Sequence, residues 1–103
     1  MHALIEQHRA AVVEICQRYR VRRLEIFGSG AHGGDFDPQR SDVDLLVEFD
    51  ASEGRPTLRT FFALRDGLST VLGRPVDLVM ADSVTNPFVK AEVERTREPV
   101  YAT

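Results

Sequence analysis

Three short apolar runs, which alternate in part with segments of helical periodicity, constrain the fold of this chain more than any other feature. The runs cover residues 24–27, Val43–Phe49 and Val76–Met80 and are rich in β-forming side chains, which predicts three strands. Helical segments precede the first run, separate the second from the third and follow the third, so the predicted order is α-β-β-α-β-α. This order predicts an α+β fold of two layers, in which helices pack on a small mixed sheet.

The helical segments carry their own periodicity and end signals. Residues 2–19 and 57–72 repeat apolar side chains at steps of three and four, which predicts two amphipathic helices with one buried face each. Gly73 follows the second helix at the position of a C-cap glycine. Asn86 followed by proline has the pattern of an N-cap with proline at the first helical position and predicts a third helix over residues 87–97.

Length and composition limit the domain count and the compartment. With 103 residues the chain has the size of one domain, so we expect a single domain over residues 1–103. Its one cysteine, Cys16, cannot form an internal disulfide and is predicted to be a buried, unreactive thiol. The sequence has neither an apolar stretch of membrane-spanning length nor a secretory signal pattern, so we expect a cytoplasmic protein without a membrane span.

The charge balance disfavours a nucleic-acid partner. The chain has 13 basic and 16 acidic residues and a net charge of −3, and its basic residues are scattered along the sequence. Broad affinity for a polyanion requires a concentrated positive surface. We therefore do not expect nucleic-acid binding.

Two aspartates at the start of the second predicted strand indicate a metal site. Asp42 and Asp44 lie two residues apart, so their side chains emerge on the same face of a strand. Their Cα atoms should be about 6.5 Å apart, which lets both carboxylates reach one cation or a pair of cations. Oxygen ligands suit magnesium or manganese better than zinc. The alternative is that both charges are solvated at the strand start.

A third aspartate, Asp77, stands inside the apolar third strand. It alternates with Val76 and Leu78 and therefore faces away from them. An acid within an apolar strand is costly to bury without a cation or hydrogen-bond partners. We expect Asp77 to join Asp42 and Asp44 if the third strand lies beside the second.

A Gly-Ser turn follows the first predicted strand. Gly28 and Ser29 come directly after residues 24–27; glycine lets the backbone approach a ligand, and exposed turn amides bind phosphate oxygens. Taken alone, the turn equally suits a plain strand end. Together with the spaced aspartates, it gives phosphate donors and metal ligands at one cleft, which is the layout that phosphoryl or nucleotidyl transfer requires.

In this ordered combination the chain resembles the minimal nucleotidyltransferases (MNT) of the DNA polymerase β superfamily, small prokaryotic proteins usually encoded beside a HEPN-domain protein. The motifs are Gly28-Ser29, an Asp-x-Asp pair preceded by Ser41, and a later aspartate within GRPVDLV. The resemblance covers nearly the whole chain and implies the nucleotidyltransferase fold. It also implies that Gly28, Ser29 and Ser41 bind the nucleotide.

The same resemblance implies the chemistry and the partner. Asp42, Asp44 and Asp77 would be the catalytic carboxylates and the ligands of Mg²⁺ or Mn²⁺, and ATP would be the substrate. The protein would transfer AMP to a hydroxyl, most plausibly that of a tyrosine, on a HEPN-type toxin. It would thereby act as the antitoxin, in a hetero-oligomer with that toxin.

The turn departs from the family's usual Gly-Ser-Arg-Ala-Arg-Gly pattern. Gly30 and His32 stand where the two arginines are expected. Arginine binds phosphate in a bidentate manner, which glycine does not reproduce and histidine reproduces only in part. We therefore expect weakened nucleotide binding and activity.

Two other functions remain compatible with these residues. The first is a non-catalytic antitoxin that neutralises its HEPN partner by binding and occlusion. The second is a phosphohydrolase of the Asp-x-Asp type, which is disfavoured because the aspartates of those enzymes follow a strand, whereas Asp42 and Asp44 begin one.

Overall fold

The computed structural model describes residues 3–28, 43–50, 52 and 54–103. In this part of the chain, four strands form one sheet with helices on both of its faces. The elements in chain order are α1 (Ala3–Gln7), α2 (Arg9–Arg18), β1 (Val21–Phe27), β2 (Val43–Phe49), α3 (Leu58–Leu72), β3 (Val76–Met80), a 3₁₀ turn (Ala81–Ser83), α4 (Pro87–Thr96) and β4 (Glu98–Ala102).

The sheet is mixed, with strand order β3-β2-β1-β4. β2 and β3 are parallel, whereas β1 is antiparallel to both of its neighbours, β2 and β4. The parallel pair requires a long crossover connection, and α3 supplies it. The predicted α+β class with a small mixed sheet is thus confirmed.

The predicted element order was incomplete because it lacked β4. This strand contains Pro99 and has two β-forming side chains, Val100 and Tyr101, so its sequence signal is weak. Proline is tolerated because β4 lies at the edge of the described sheet, where backbone N–H groups on the outer side need no strand partner. The pairing of Tyr101 with Leu24 in β1 fixes its position.

Two further boundaries differ from the prediction. β1 begins at Val21 and not at residue 24, because exposed Arg22 and Arg23 interrupt the apolar run that marked the strand. The single predicted helix over residues 2–19 is divided at His8 into α1 and α2. The His8 N–H donates to the Ile5 carbonyl at 3.2 Å, a tighter turn that the continuing apolar periodicity does not reveal.

The predicted Gly73 cap of α3 and the predicted Asn86 cap of α4 are confirmed. α3 is capped by the Thr57 hydroxyl, which accepts from the Thr60 N–H at 3.2 Å, and it ends at Gly73 in the left-handed region with φ 70°. The Asn86 side chain accepts from the Phe88 N–H at 2.9 Å, and proline follows it at the first position of α4. None of the described helices is both long and apolar enough to cross a membrane.

The two faces of the sheet carry different apolar clusters. The larger core packs α1, α2 and α3 against one face, and it includes the fully buried Cys16. Burial raises the pKa of the Cys16 thiol to about 12, so the prediction of a buried, unreactive cysteine agrees with the structure. The smaller cluster, formed by Phe27, Leu46 and Val93, packs α4 against the opposite face.

A glycine permits the close approach of α3 to α2. A Cβ atom at Gly67 would lie 2.1 Å from Cδ1 and 3.4 Å from Cγ1 of Ile15. The first distance is too short for any real contact, so an added methyl group must displace the end of the Ile15 side chain. Gly67 therefore stands inside a helix, despite its low helix propensity, because the neighbouring helix occupies the space.

We expect Gly67→Ala to destabilise the protein. Overpacking should cost about 1 to 3 kcal/mol of folding free energy, which exceeds the gain of about 1 kcal/mol in helix propensity. Ile15→Val removes the Cδ1 atom, so in that background Gly67→Ala should stabilise by up to about 1 kcal/mol. Urea unfolding of the four proteins of this double-mutant cycle measures the coupling. Strictly additive effects would contradict the assigned contact.

Candidate active site

Asp44 and Asp77 are direct neighbours on the two parallel strands. Asp44 pairs with Asp77 in the register of β2 with β3, and adjacent strands lie about 4.8 Å apart. Residues paired in this way project from the same face of a sheet. The expectation that the third predicted strand lies beside the second is therefore confirmed, and it brings the two carboxyl groups together.

The two aspartates lie on the face of the sheet that α4 partly covers. Leu46 and Val79 stand two residues after Asp44 and Asp77, on the same side of each strand, and both belong to the smaller cluster that contains Val93 of α4. Asp77 is exposed and Asp44 is half-buried. The pair is therefore open to a ligand at the N-terminal ends of both strands.

Gly28 borders this pair from the other side. Phe27 at the end of β1 pairs with Asp44, so Gly28 follows directly beside it. Gly28 is buried with φ 73°, and a Cβ atom added to it would lie 2.9 Å from Oδ2 of Asp44. Only glycine combines this left-handed conformation with such a close approach to the carboxylate.

The described residues thus contain half of the predicted site. Gly28, Asp44 and Asp77 come together, because Asp44 pairs with Asp77 and Gly28 lies against the Asp44 carboxylate. The remaining predicted site residues, Ser29, Ser41 and Asp42, lie outside the described residues, as do Gly30 and His32. The catalytic, nucleotide-binding and metal-binding roles assigned to all of them from the sequence stay predictions.

The donor atoms present fit a hard divalent cation. Asp44 and Asp77 offer carboxylate oxygens from neighbouring strands, and oxygen is the donor that Mg²⁺ and Mn²⁺ prefer. Within residues 3–28, 43–50, 52 and 54–103, no group of three or more His, Cys, Asp and Glu side chains converges on one point. Asp42, the third predicted ligand, is outside these ranges.

Sequence reasoning missed one residue that contacts this site. The Thr96 hydroxyl, at the last position of α4, accepts a hydrogen bond from the Gly28 N–H at 2.8 Å. It also donates to the Glu92 carbonyl at 2.7 Å, and Thr96 is only 3% exposed. A threonine in the last turn of a helix gives no signal by itself, and the contact arises from the packing of α4 on the sheet.

An ion pair fixes the end of α4 next to this contact. The Arg97 Nε donates to Oε2 of Glu25 on β1 at 3.1 Å, and a second nitrogen of the guanidinium contacts the other carboxylate oxygen. Glu25 is buried, so the pair requires this two-point geometry to offset its desolvation. The hydrogen bond to Glu25 raises the pKa of Arg97 above its ordinary value, which keeps the guanidinium charged.

A cavity of about 300 Å³ lies between α4, the middle of β2 and the 3₁₀ turn that follows β3. Its floor includes Leu46, two residues along β2 from Asp44, and its walls include Val93 and Lys90 of α4. A larger cavity of about 460 Å³ lies at the opposite ends of β2 and β3, beside Phe49. Neither Asp44 nor Asp77 lines either of these two cavities.

We expect Mn²⁺ to raise the melting temperature of the protein, because a ligand that binds only the folded state stabilises it. Asp44→Asn and Asp77→Asn should each weaken this rise, and the double variant should lose it. Asp66→Asn, which changes an exposed aspartate on α3, is the matched control and should respond like the parent. An unchanged Mn²⁺ response in the double variant would show that the cation binds elsewhere.

Gly28→Ala should also weaken the Mn²⁺ response, because the new methyl group would press on the Asp44 carboxylate. Gly73→Ala is the matched control: Gly73 has φ 70°, and a Cβ there would have no neighbour within 4 Å. Both variants should lose about 1 to 2 kcal/mol of stability from left-handed strain. Thermal melting with and without Mn²⁺ separates the two effects, and an equal metal response in both variants would contradict the contact with Asp44.

Curated relatives match this chain over most of its length. A "protein adenylyltransferase MntA" of Thermococcus cleftensis is 39% identical over 88 residues, which cover 85% of this chain and 81% of that protein. A Methanocaldococcus jannaschii protein, provisionally named a protein adenylyltransferase, is 36% identical over 91 residues, covering 88% of this chain and 85% of the relative.

Solved structures agree with the fold. A protein provisionally described as a minimal nucleotidyltransferase superposes with a TM-score of 0.72 at 33% identity, covering 91% of this chain and 90% of its own. A chain from the complex of a tri-AMPylated Shewanella oneidensis HEPN toxin with an MNT antitoxin superposes with a TM-score of 0.66, covering 96% of this chain and 73% of its own. At 17% identity, the second likeness concerns the fold alone.

The family profile of the nucleotidyltransferase domain matches residues 8–99. This range begins before α2 and ends within β4, so it includes every strand that carries or borders the candidate site. It also includes the Gly-Ser turn and all three aspartates on which the resemblance to minimal nucleotidyltransferases depends. The chain therefore belongs to the nucleotidyltransferase domain family, and it is a nucleotidyltransferase of the minimal type.

Proposed function

We propose that this protein is a metal-dependent protein adenylyltransferase that transfers AMP from ATP to a hydroxyl, that of a tyrosine, on a HEPN-type toxin. The transfer silences the toxin, so the protein acts as its antitoxin in a cytoplasmic hetero-oligomer. The observation that carries the proposal is the pairing of Asp44 with Asp77 on parallel strands beside Gly28. This arrangement brings two carboxylates to one edge of the sheet, beside a glycine at which a phosphate group can approach the backbone.

The proposed roles divide the site between nucleotide and acceptor. Asp42, Asp44 and Asp77 would hold Mg²⁺ or Mn²⁺, and the bound cation would neutralise the triphosphate and stabilise charge on the entering and leaving oxygens.

Ser29 and Ser41 hold the triphosphate through hydroxyl and backbone N–H groups. Gly28, whose own N–H is bonded to Thr96, lets the backbone approach the nucleotide because it has no side chain. The site thereby fixes the α-phosphorus of ATP in front of the open side of the carboxylate pair.

Asp77 also serves the acceptor in this proposal. It is exposed on β3, so an incoming tyrosine can reach it, and its carboxylate orients the hydroxyl and accepts the proton. The tyrosine oxygen forms a bond to the α-phosphorus as the bond to pyrophosphate breaks. AMP remains on the tyrosine and pyrophosphate leaves, so that phosphorus, charge and proton balance without another reactant.

A protein acceptor is supported by the relatives and by charge. Two relatives at 36% and 39% identity carry names of protein adenylyltransferases, and a structural neighbour occurs in a complex with an AMPylated HEPN toxin. A net charge of −3 disfavours a polyanionic acceptor such as RNA or DNA. A HEPN-type protein that completes the open cleft is therefore the proposed partner.

The second candidate is an antitoxin that acts by occlusion without catalysis. Gly30 and His32 favour it, because they replace the arginines that the family uses at the phosphate-binding turn. Without these bidentate contacts, the affinity for ATP falls. The protein could then still cover its partner while transferring AMP slowly or not at all.

The two candidate functions differ in whether AMP is added to the HEPN partner. The purified protein is incubated with a HEPN-domain protein encoded beside it, ATP and Mg²⁺, and the mass of the partner is then measured by intact-mass spectrometry. The adenylyltransferase should add whole AMP units. Asp44→Asn and Asp77→Asn should reduce the rate at least about 100-fold, because they remove groups required in the transition state. Asp66→Asn should transfer AMP at the parent's rate.

Protection of cells from the toxin is the second measurement. If the parent adds no AMP and Asp44→Asn still protects the cells, the enzymatic proposal fails and occlusion is correct. If protection and AMP addition are lost together in both site variants, occlusion alone does not account for the antitoxin.

A further inference from the structure

We infer that Thr96 is a positioning residue for nucleotidyl transfer, which holds the Gly28 backbone, and with it the start of the phosphate-binding turn, against Asp44. The inference rests on the proposed function for the nucleotide and for its binding at this turn. Its geometry comes from the hydrogen bond that joins Thr96 to Gly28 across 68 residues of sequence.

The hydroxyl of Thr96 has a fixed orientation. It has one hydrogen to donate, and it donates it to the Glu92 carbonyl one turn earlier in α4, at 2.7 Å. The oxygen lone pairs are thereby left to accept from the Gly28 N–H at 2.8 Å. Because Thr96 is only 3% exposed, neither bond competes with bulk water.

The Gly28 N–H depends on this acceptor. Phe27 is the last residue of β1, so the Gly28 amide lies just beyond the strand and is buried. A buried N–H that has lost its acceptor must shift towards another one. Such a shift moves the whole of Gly28. The Asp44 carboxylate lies so close to Gly28 that it leaves no room for a Cβ atom there.

The helix that carries Thr96 is itself anchored on both sides of the hydroxyl. Val93 packs on Phe27 and Leu46 in the smaller apolar cluster. Arg97 binds the buried Glu25 of β1 through two nitrogens. Thr96 thus lies between a hydrophobic anchor and an ionic one, so its hydroxyl is held at a constant position relative to β1.

The consequence for function follows from chain connectivity. Ser29, the next predicted phosphate ligand, is bonded directly to Gly28. A displacement of Gly28 therefore changes the position of Ser29 and also the space that the Asp44 carboxylate occupies. Thr96 reaches neither the nucleotide nor the acceptor in this scheme, so it acts through Gly28 and is not a catalytic residue.

A purely structural role makes a different prediction. If Thr96 only attached α4 to the sheet, loss of the hydroxyl would lower the fraction of folded protein, but each folded molecule would bind ATP as the parent does. If Thr96 positions the turn, each folded molecule should bind ATP more weakly. Affinity per folded molecule, measured well below the melting temperature, therefore distinguishes the two roles.

The test compares Thr96→Val, which keeps the shape and removes the hydroxyl, with Thr96→Ser, which keeps the hydroxyl. Isothermal titration with ATP in Mn²⁺ buffer should give a Kd about tenfold higher for Thr96→Val, the scale of one lost hydrogen bond. Thr96→Ser should stay within about threefold of the parent. In the AMP-transfer assay, kcat/KM for ATP should fall in the same order.

Thr96→Cys keeps the side-chain volume and offers a weak acceptor, so it serves as the second variant if Thr96→Val does not fold. Its affinity for ATP should lie below that of Thr96→Ser. An ATP affinity of Thr96→Val equal to that of the parent would overturn the inference, as would a Thr96→Ser variant no better than Thr96→Val or Thr96→Cys.

The ATP titration also separates this inference from the proposed function. If the parent binds ATP and transfers no AMP to its partner, the proposed adenylyltransferase fails while the Thr96 series still decides the positioning role. If the parent transfers AMP and the three variants bind ATP and react as it does, the proposed function stands and the inference fails.

Discussion

The candidate site depends on the parallel pairing of β2 with β3. Parallel strands begin at the same edge of a sheet, so aspartates near the start of both strands meet without any special loop. The register that pairs Asp44 with Asp77 is fixed in turn by the apolar residues beside them, because a slip of one residue would move Leu45 and Leu78 out of the core. The hydrophobic core therefore determines the separation of the two carboxyl groups.

Because side chains alternate along each strand, one face of the sheet forms the core and the other carries the candidate site. One face is covered by α1, α2 and α3 and forms the larger core. The other is covered only in part, by α4, and it carries the acids together with the small cluster around Leu46. A domain of this size can build an open site in this way, because a single well-packed face supplies most of the buried apolar surface.

Local sequence signals predicted the elements on which this arrangement depends. β2 and β3 have the predicted bounds, and the end of α3 and the start of α4 follow from Gly73 and Asn86, because capping groups act over three or four residues. β4 and the division at His8 were missed. Pairing with β1 stabilises β4 although its own sequence is a weak strand former, and the tight turn at His8 leaves no mark on the apolar periodicity.

The candidate site, like the fold, was predictable where it depends on local sequence and not where it depends on contacts between distant residues. Alternation along single strands placed Asp44 and Asp77 on defined faces, but their meeting required knowledge of which strands are neighbours. The hydrogen bond from Gly28 to Thr96 could not be predicted, since it joins residues 68 positions apart and neither residue type is unusual at a strand end or a helix end.

That separation in sequence has a consequence for the order of events during synthesis. The ribosome releases β1 and its glycine long before α4, and closing such a long loop is slow compared with local helix formation. A nascent chain that ends before α4 can pair β1, β2 and β3, yet it has no acceptor for the Gly28 amide and no cover over the smaller cluster. We therefore expect the candidate site to be completed among the last steps of folding, after α4 has packed on the sheet.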